Sequence, residues 1–223
     1  SNWSATAPGA GGPGLNGSFD FPFNFDFMGG TGSYFAGLQG GYNYVFQSRW
    51  MLGFEADASF PNSDVQVPFS VRGSQTVTSP LTGQVIYGEA VIHYGSARAR
   101  LGYAFEHFLL YGTGGLAWTY NQATRDQVTG FPAGGFATPG TVDTRLLWRL
   151  GWAAGAGIEI PLTGNWTAKA EYLSTGFGRK GVTFPAAAEV FASDLAMQSV
   201  RLGVNYRIGG DNAHISDFLA KGP

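Results

Sequence analysis

Seven charged side chains in this sequence are spaced so that they could act together: Glu55, Asp57, Arg98, Arg100, Lys169, Glu171 and Arg201. Each lies in a segment where small or polar residues alternate with apolar ones. Counted from the nearest tight turn, each sits roughly four to eight residues along its segment, which at about 3.3 Å per extended residue puts all of them at one height. Arg149 has the same parity in a further segment. Two kinds of chemistry suit basic and acidic groups gathered at one level. One is a charged constriction that selects small solutes; the other, which is the expected one, is a paired polar plug that holds strands in register. Catalytic chemistry is not expected. His93, His107 and His214 fall in or near different elements, and the acid nearest His93 on its own segment, Glu89, is four residues away. That spacing is about 13 Å in an extended chain, too far for a base and its orienting carboxylate. His107 reads as a solvated turn residue. Gly112-Thr113-Gly114-Gly115 lies inside a strand instead of leading into a helix, so no phosphate cradle is expected there. With no cysteine, a disulfide, a thiolate metal site and a thiol nucleophile are all excluded. No metal and no cofactor are expected.

The elements that must position these charges follow a period of two. Residues 33–46 place Tyr34, Ala36, Leu38, Tyr42, Tyr44 and Phe46 on one face; residues 50–60 place Trp50, Leu52, Phe54, Ala56, Ala58 and Phe60 opposite Glu55 and Asp57. The pattern recurs at 95–105, 108–120, 146–160, 166–172 and 200–208, so seven amphipathic strands are visible and no helical period competes with them. Connections alternate in length. Tight turns at 47–49, 106–107 and 161–164 lie at one rim, and long Gly/Pro-rich loops at 61–84, 121–142 and 176–192 at the other. Trp50, Tyr103, Phe105, Phe108, Trp166 and Tyr206 all fall beside the tight-turn rim, where an aromatic girdle would stand.

Composition decides which face is which. The 223 residues include 35 Gly and 34 aromatics (18 Phe, 10 Tyr, 6 Trp), yet only 13% are charged, against about 25% in an ordinary soluble domain. The same strands could close a soluble barrel with the apolar face inward. Too few charges to solvate that surface, and a polar face made largely of glycine, favour lipid outside and charges inside. An all-β, antiparallel, up-and-down transmembrane barrel is therefore expected, with its charged belt facing a lumen just wide enough for side chains to fill. The net charge of −2 gives no footprint for nucleic acid.

The runs Phe35-Ala36-Gly37-Leu38-Gln39-Gly40-Gly41-Tyr42-Asn43-Tyr44, Leu52-Gly53-Phe54-Glu55-Ala56-Asp57, Arg98-Ala99-Arg100-Leu101-Gly102-Tyr103, Tyr111-Gly112-Thr113-Gly114-Gly115-Leu116-Ala117, Gly155-Ala156-Gly157-Ile158-Glu159 and Lys169-Ala170-Glu171-Tyr172-Leu173, closed by Val200-Arg201-Leu202-Gly203-Val204-Asn205-Tyr206-Arg207, resemble the opacity-type, porin-family outer-membrane proteins over residues 33 to 208. The resemblance implies an eight-stranded barrel in the outer membrane of a Gram-negative envelope. It also implies roles in envelope integrity, display to host or surface ligands through the long loops, and small-solute passage, with no catalytic residues. Seven strands against eight leads to the expectation that 1–32 is a surface loop following a missing first strand. Residues 33–208 then form the barrel, and 209–223 an extension similar to the junction of barrels fused to a carbohydrate-selective porin. The functional expectation is a structural and surface-interaction protein with a filled lumen. The alternative is a small-solute porin, or an accessory barrel domain of a carbohydrate porin.

Overall fold

The computed structural model describes residues 2–6, 15–18, 35–61, 72–79, 82–132 and 134–208. Ten strands account for nearly all of them: β1 (Asn2–Thr6), β2 (Leu15–Ser18), β3 (Phe35–Val45), β4 (Trp50–Pro61), β5 (Arg72–Ser79), β6 (Gly83–Ala104), β7 (Leu109–Gln127), β8 (Val142–Pro161), β9 (Trp166–Phe184) and β10 (Glu189–Tyr206). All seven segments picked out by alternation are strands: β3, β4 and β6 to β10. They join in one antiparallel sheet of order β2-β1-β10-β9-β8-β7-β6-β4-β3, with β5 on β6. The turns at 46–49, 105–108 and 162–165 define the lower rim. They are closed by backbone bonds such as Arg49 N to Phe46 O at 2.9 Å, and Gly164 takes the left-handed conformation (φ 60°) that a tight hairpin requires.

The sheet curls until its distant members meet. Glu55 of β4 accepts a hydrogen bond from Lys169 of β9 at 2.9 Å, and Arg201 of β10 lies 3.1 Å from Asp57 of β4. Gln39 of β3 donates to Asn205 of β10, bridging the two edges with side chains; among the described residues no backbone ladder joins them. β1 runs beside only the upper end of β10, pairing Trp3 with Ser193 and Thr6 with Val190. The curl forces a sharp division of faces. Leu38 is 81% and Leu202 71% exposed, whereas Arg98 is fully buried and Glu171 nearly so. An exterior of leucine around an interior of ions is the arrangement of a barrel whose solvent is lipid.

Three stretches read as loops are strand in part. β6 begins at Gly83, β7 runs on to Gln127, and β9 and β10 meet at a tight turn over 185–188; β5 also lies within 61–84. Within 1–32, expected to be loop, the structure places β1 and β2, paired Trp3 to Gly17. The physical reason is that these upper stretches have polar residues on both faces. Gln122, Thr124 and Asp126 point outward on β7 while Asn121, Arg125 and Gln127 point inward, so apolar alternation gives no signal. Above Gly151 and Phe177 the pairing of β8 with β9 ends, and the sheet forks into a β5–β8 arm and an arm of β9, β10, β1 and β2.

Candidate functional site

The inner face is layered, and the same order repeats on each long strand. At the lower rim Val45, Met51, Ala104, Leu109 and Tyr111 pack together. Directly above lies the belt of charges. Arg98, on β6, is its centre: Nη1 donates to Glu171 at 2.9 Å, and Nη2 donates to Glu55 and, at 3.2 Å, to Asp57. Arg100 donates to Glu159 at 3.1 Å and stacks over the Tyr111 ring at 3.8 Å. Lys169 bridges Glu55 (2.9 Å) and Glu171 (3.7 Å), and Arg201 completes the ring on Asp57. Tyr111, Thr167 and Ser96 donate to Glu171, Glu159 and Asp57. Four cations thus meet four carboxylates in a site buried except at Arg201, whose side chain is 17% exposed. Glycine makes the room for them: a Cβ at Gly157 would overlap the Tyr111 hydroxyl.

A second apolar layer follows, formed by Val91, Tyr94, Ala117, Ala153, Leu173, Phe177 and Leu195. Above it, at the fork, Arg149 donates to Glu89 at 2.7 Å and to the Ser193 carbonyl at 2.6 Å. Ser193 and Asn121 also donate to Glu89. Above that pair lie Leu147 and the rings of Trp3, Tyr87, Phe184 and Phe191, which meet across the two arms, Tyr87 stacked on Phe191 at 5.9 Å and 10°. At the top, Arg125 and Tyr87 both donate to Glu189, at 2.8 and 2.7 Å. Burial and the Glu189 carboxylate push the Tyr87 phenol well above its ordinary range, so it is a fixed hydrogen-bond donor. Every charged tier balances: four to four, one to one, one to one.

Of the eight lumen residues expected from the sequence, the structure brings Glu55, Asp57, Arg98, Arg100, Lys169, Glu171 and Arg201 into one ion-paired group. It sets Arg149 apart in the tier above. Sequence reasoning missed Glu159, Glu89, Arg125 and Glu189. Glu159 shares Arg149's parity and could have been found from it; the other three lie in stretches without apolar alternation. The six aromatic residues at the lower rim are in ring contact: Trp50 with Tyr103, Tyr103 with Phe105 and, at 4.9 Å, Trp166 with Tyr206 edge-on, and Phe105 stacked on Phe108 at 4.7 Å. Tyr44 and Phe46 extend the series. His93 packs against Phe60, His107 is exposed in its turn, and His214 lies outside the described residues.

The profile of a family described as "Outer membrane protein beta-barrel domain" matches residues 2–207. The 31 kDa outer-membrane immunogenic protein of Brucella melitensis is 33% identical over 183 residues, covering 79% of this chain and 67% of the relative. The 25 kDa outer-membrane immunogenic protein of Brucella abortus is 30% identical over 113 residues, 51% of this chain and 45% of the relative. The 22 kDa outer membrane protein of Rhizobium leguminosarum is 27% identical over 195 residues, 81% and 76% of the two chains. Among solved structures, Ail of Yersinia pestis, crystallised with the heparin analogue sucrose octasulfate, aligns with a TM-score of 0.36 at 14% identity over 93% of this chain and 92% of its own.

Proposed function

The chain belongs to the outer-membrane β-barrel domain family and resides in the outer membrane, and from that premise we propose that it is a sealed, non-catalytic barrel that anchors a surface-exposed upper structure. The observation that carries this reading is the layered inner face. An ion or sugar would have to cross an apolar layer, a neutral ring of eight paired charges, a second apolar layer and a buried Arg149–Glu89 pair. Each charge already has its counter-charge, so a permeating solute would have to break pairs that, apart from Arg201, are buried. The belt then acts as a plug that fixes the register of β4, β6, β8, β9 and β10, and the rim aromatics act as the interfacial girdle. The long upper strands support surface display. β6 has 22 residues, and crossing the bilayer takes about 9–11. Relatives that are themselves named immunogenic outer-membrane proteins support the same role, in line with an opacity-type surface protein.

Planar bilayers test this. The full-length protein should give no stable conductance steps. Steady single-channel openings would overturn the sealed reading in favour of a small-solute porin, and openings that depend on a second, porin-type domain would make this barrel the accessory unit of a carbohydrate porin.

A further inference from the structure

The loop joining β7 to β8 carries two large aromatic side chains out into water. Phe131 is 63% and Phe136 76% exposed, flanked by exposed Val128 and Val142. From Gln127 to Val142 the sequence has no charged residue. The nearest inner-face charges are spoken for: Arg125 is paired with Glu189, and Asp143 accepts from the Ala186 amide at 3.0 Å.

The loop is also tied down. Val128 N and Thr129 N donate to the Gln84 carbonyl at 2.8 and 3.1 Å, Gln127 N donates to Thr141 O at 3.0 Å, and Gly140 N donates to Gln127 O at 2.7 Å. Phe136 N and Ala137 N both donate to Ala186 O at the turn between β9 and β10, at 2.7 and 2.8 Å. A Cβ at Gly135 would strike Ala186 and Ala187, so the loop lies flat on that turn with the Phe136 side chain pointing away.

We infer that this tip inserts Phe131 and Phe136 into a facing zwitterionic lipid surface. The inference rests on the surface reading above. Three features favour lipid. The nearest outward charge, Asp126, stands at the base of the tip opposite Val142, so no charge between Gln127 and Val142 has to be desolvated at the headgroup boundary. The amides at 127–129, 136–138, 140 and 141 are already bonded within the protein, so their burial leaves none of them unsatisfied. The bonds to Ala186 O also fix the backbone at Phe136, so little order is lost when that ring inserts. A protein groove would be matched better by aromatics mixed with arginine, and the stretch 127–142 has no arginine. The bacterium's own acyl layer lies below: the exposed apolar stripe reaches Tyr120 on β7 and Leu146 on β8, seven residues short of Gln127 and five short of Thr141, or roughly 15–20 Å of strand.

The experiment is co-flotation of the full-length protein, held in nanodiscs, with pure phosphatidylcholine vesicles at low and at high salt. The protein should float with the vesicles equally at both, because the contact carries no charge. Each of Phe131→Ser and Phe136→Ser should weaken flotation about tenfold, the cost of leaving a ring in water, while Phe131→Leu and Phe136→Leu keep most of it. Unchanged flotation of the double serine variant would overturn the inference. So would flotation that needs phosphatidylserine and vanishes in high salt, or adhesion only to vesicles that bear membrane proteins. The chain has no cysteine, so Pro139→Cys reports on display. Labelling of intact cells by an impermeant maleimide without vesicle capture removes only this inference; absence of labelling removes the surface reading as well.

Discussion

The lower and upper halves of the barrel are built from the same strands, yet their outer faces on β7 differ. In the lower half of β7 and β8, Leu110, Leu116, Leu150 and Trp152 face outward and stay exposed, while Thr113 and Glu159 are buried. In the upper half Thr124 and Asp126 face outward, and Ala123 and Leu147 join an aromatic core with Trp3, Tyr87, Phe184 and Phe191. One backbone ladder runs through both. What changes along it is the solvent: lipid outside requires an apolar exterior, whereas water outside admits Thr124 and Asp126 there. The two halves should therefore fail in different ways.

The strongest contrast comes from emptying each interior. Arg98→Ala leaves Glu55, Asp57 and Glu171 facing one another without their shared cation and should cost about 3–5 kcal/mol. Because Arg98 touches β4 and β9 from β6, the loss should lower the temperature of heat-modifiable gel migration for the whole barrel. An unchanged transition in Arg98→Ala would sink the plug. Phe191→Ala removes a ring that stacks on Tyr87 and Trp3 and should also cost about 3–5 kcal/mol, but locally. Limited proteolysis should cut within 178–193 while the lower half keeps its hydrogen-exchange protection; a global loss instead would show that the arms of the fork do not open independently.

The exteriors give the next effect. Leu116→Arg puts a charge on the lipid face near mid-height and should destabilise by about 2–4 kcal/mol in guanidinium unfolding from vesicles. Thr124→Arg, eight residues higher on the same face of the same strand, should stay within about 0.5 kcal/mol. Equal costs at the two positions would erase the boundary between the halves.

That boundary also sets how much of the molecule can be read from its sequence. Where lipid lies outside, the exterior residue must be apolar, so alternation picked out the lower parts of β3, β4 and β6 to β10, and with them the parity that collects Glu55, Asp57, Arg98, Arg100, Lys169, Glu171 and Arg201. Above Tyr120 water wets the outer face and Asn121, Arg125 and Gln127 line the inner one, so polar residues occupy both parities and the strand reads as loop. Glu89, Arg125 and Glu189 were lost with it. The upper core was illegible for another reason: Trp3 meets Phe191 through the pairing of β1 with β10, a contact between the two ends of the chain that no local pattern encodes.

The smallest effect concerns the aromatic pairs. Trp166 and Tyr206 sit opposite each other on β9 and β10 at the lower rim, ring centroids 4.9 Å apart and nearly edge-on at 62°. Trp3 and Phe191 stand 5.9 Å apart but are buried among neighbours. Truncating a rim ring leaves its partner in the same interfacial setting, so a double-mutant cycle on Trp166→Ala and Tyr206→Ala isolates the ring–ring contact at about 0.5–1.5 kcal/mol. The same cycle on Trp3→Ala and Phe191→Ala also carries the cavity each truncation opens, and its coupling should be larger. If the rim cycle gave the larger coupling, the two rims would have to be reassigned: the aromatic pair holding the fold together would be at the lipid interface, and the upper core would be only a loose cover on the barrel below it.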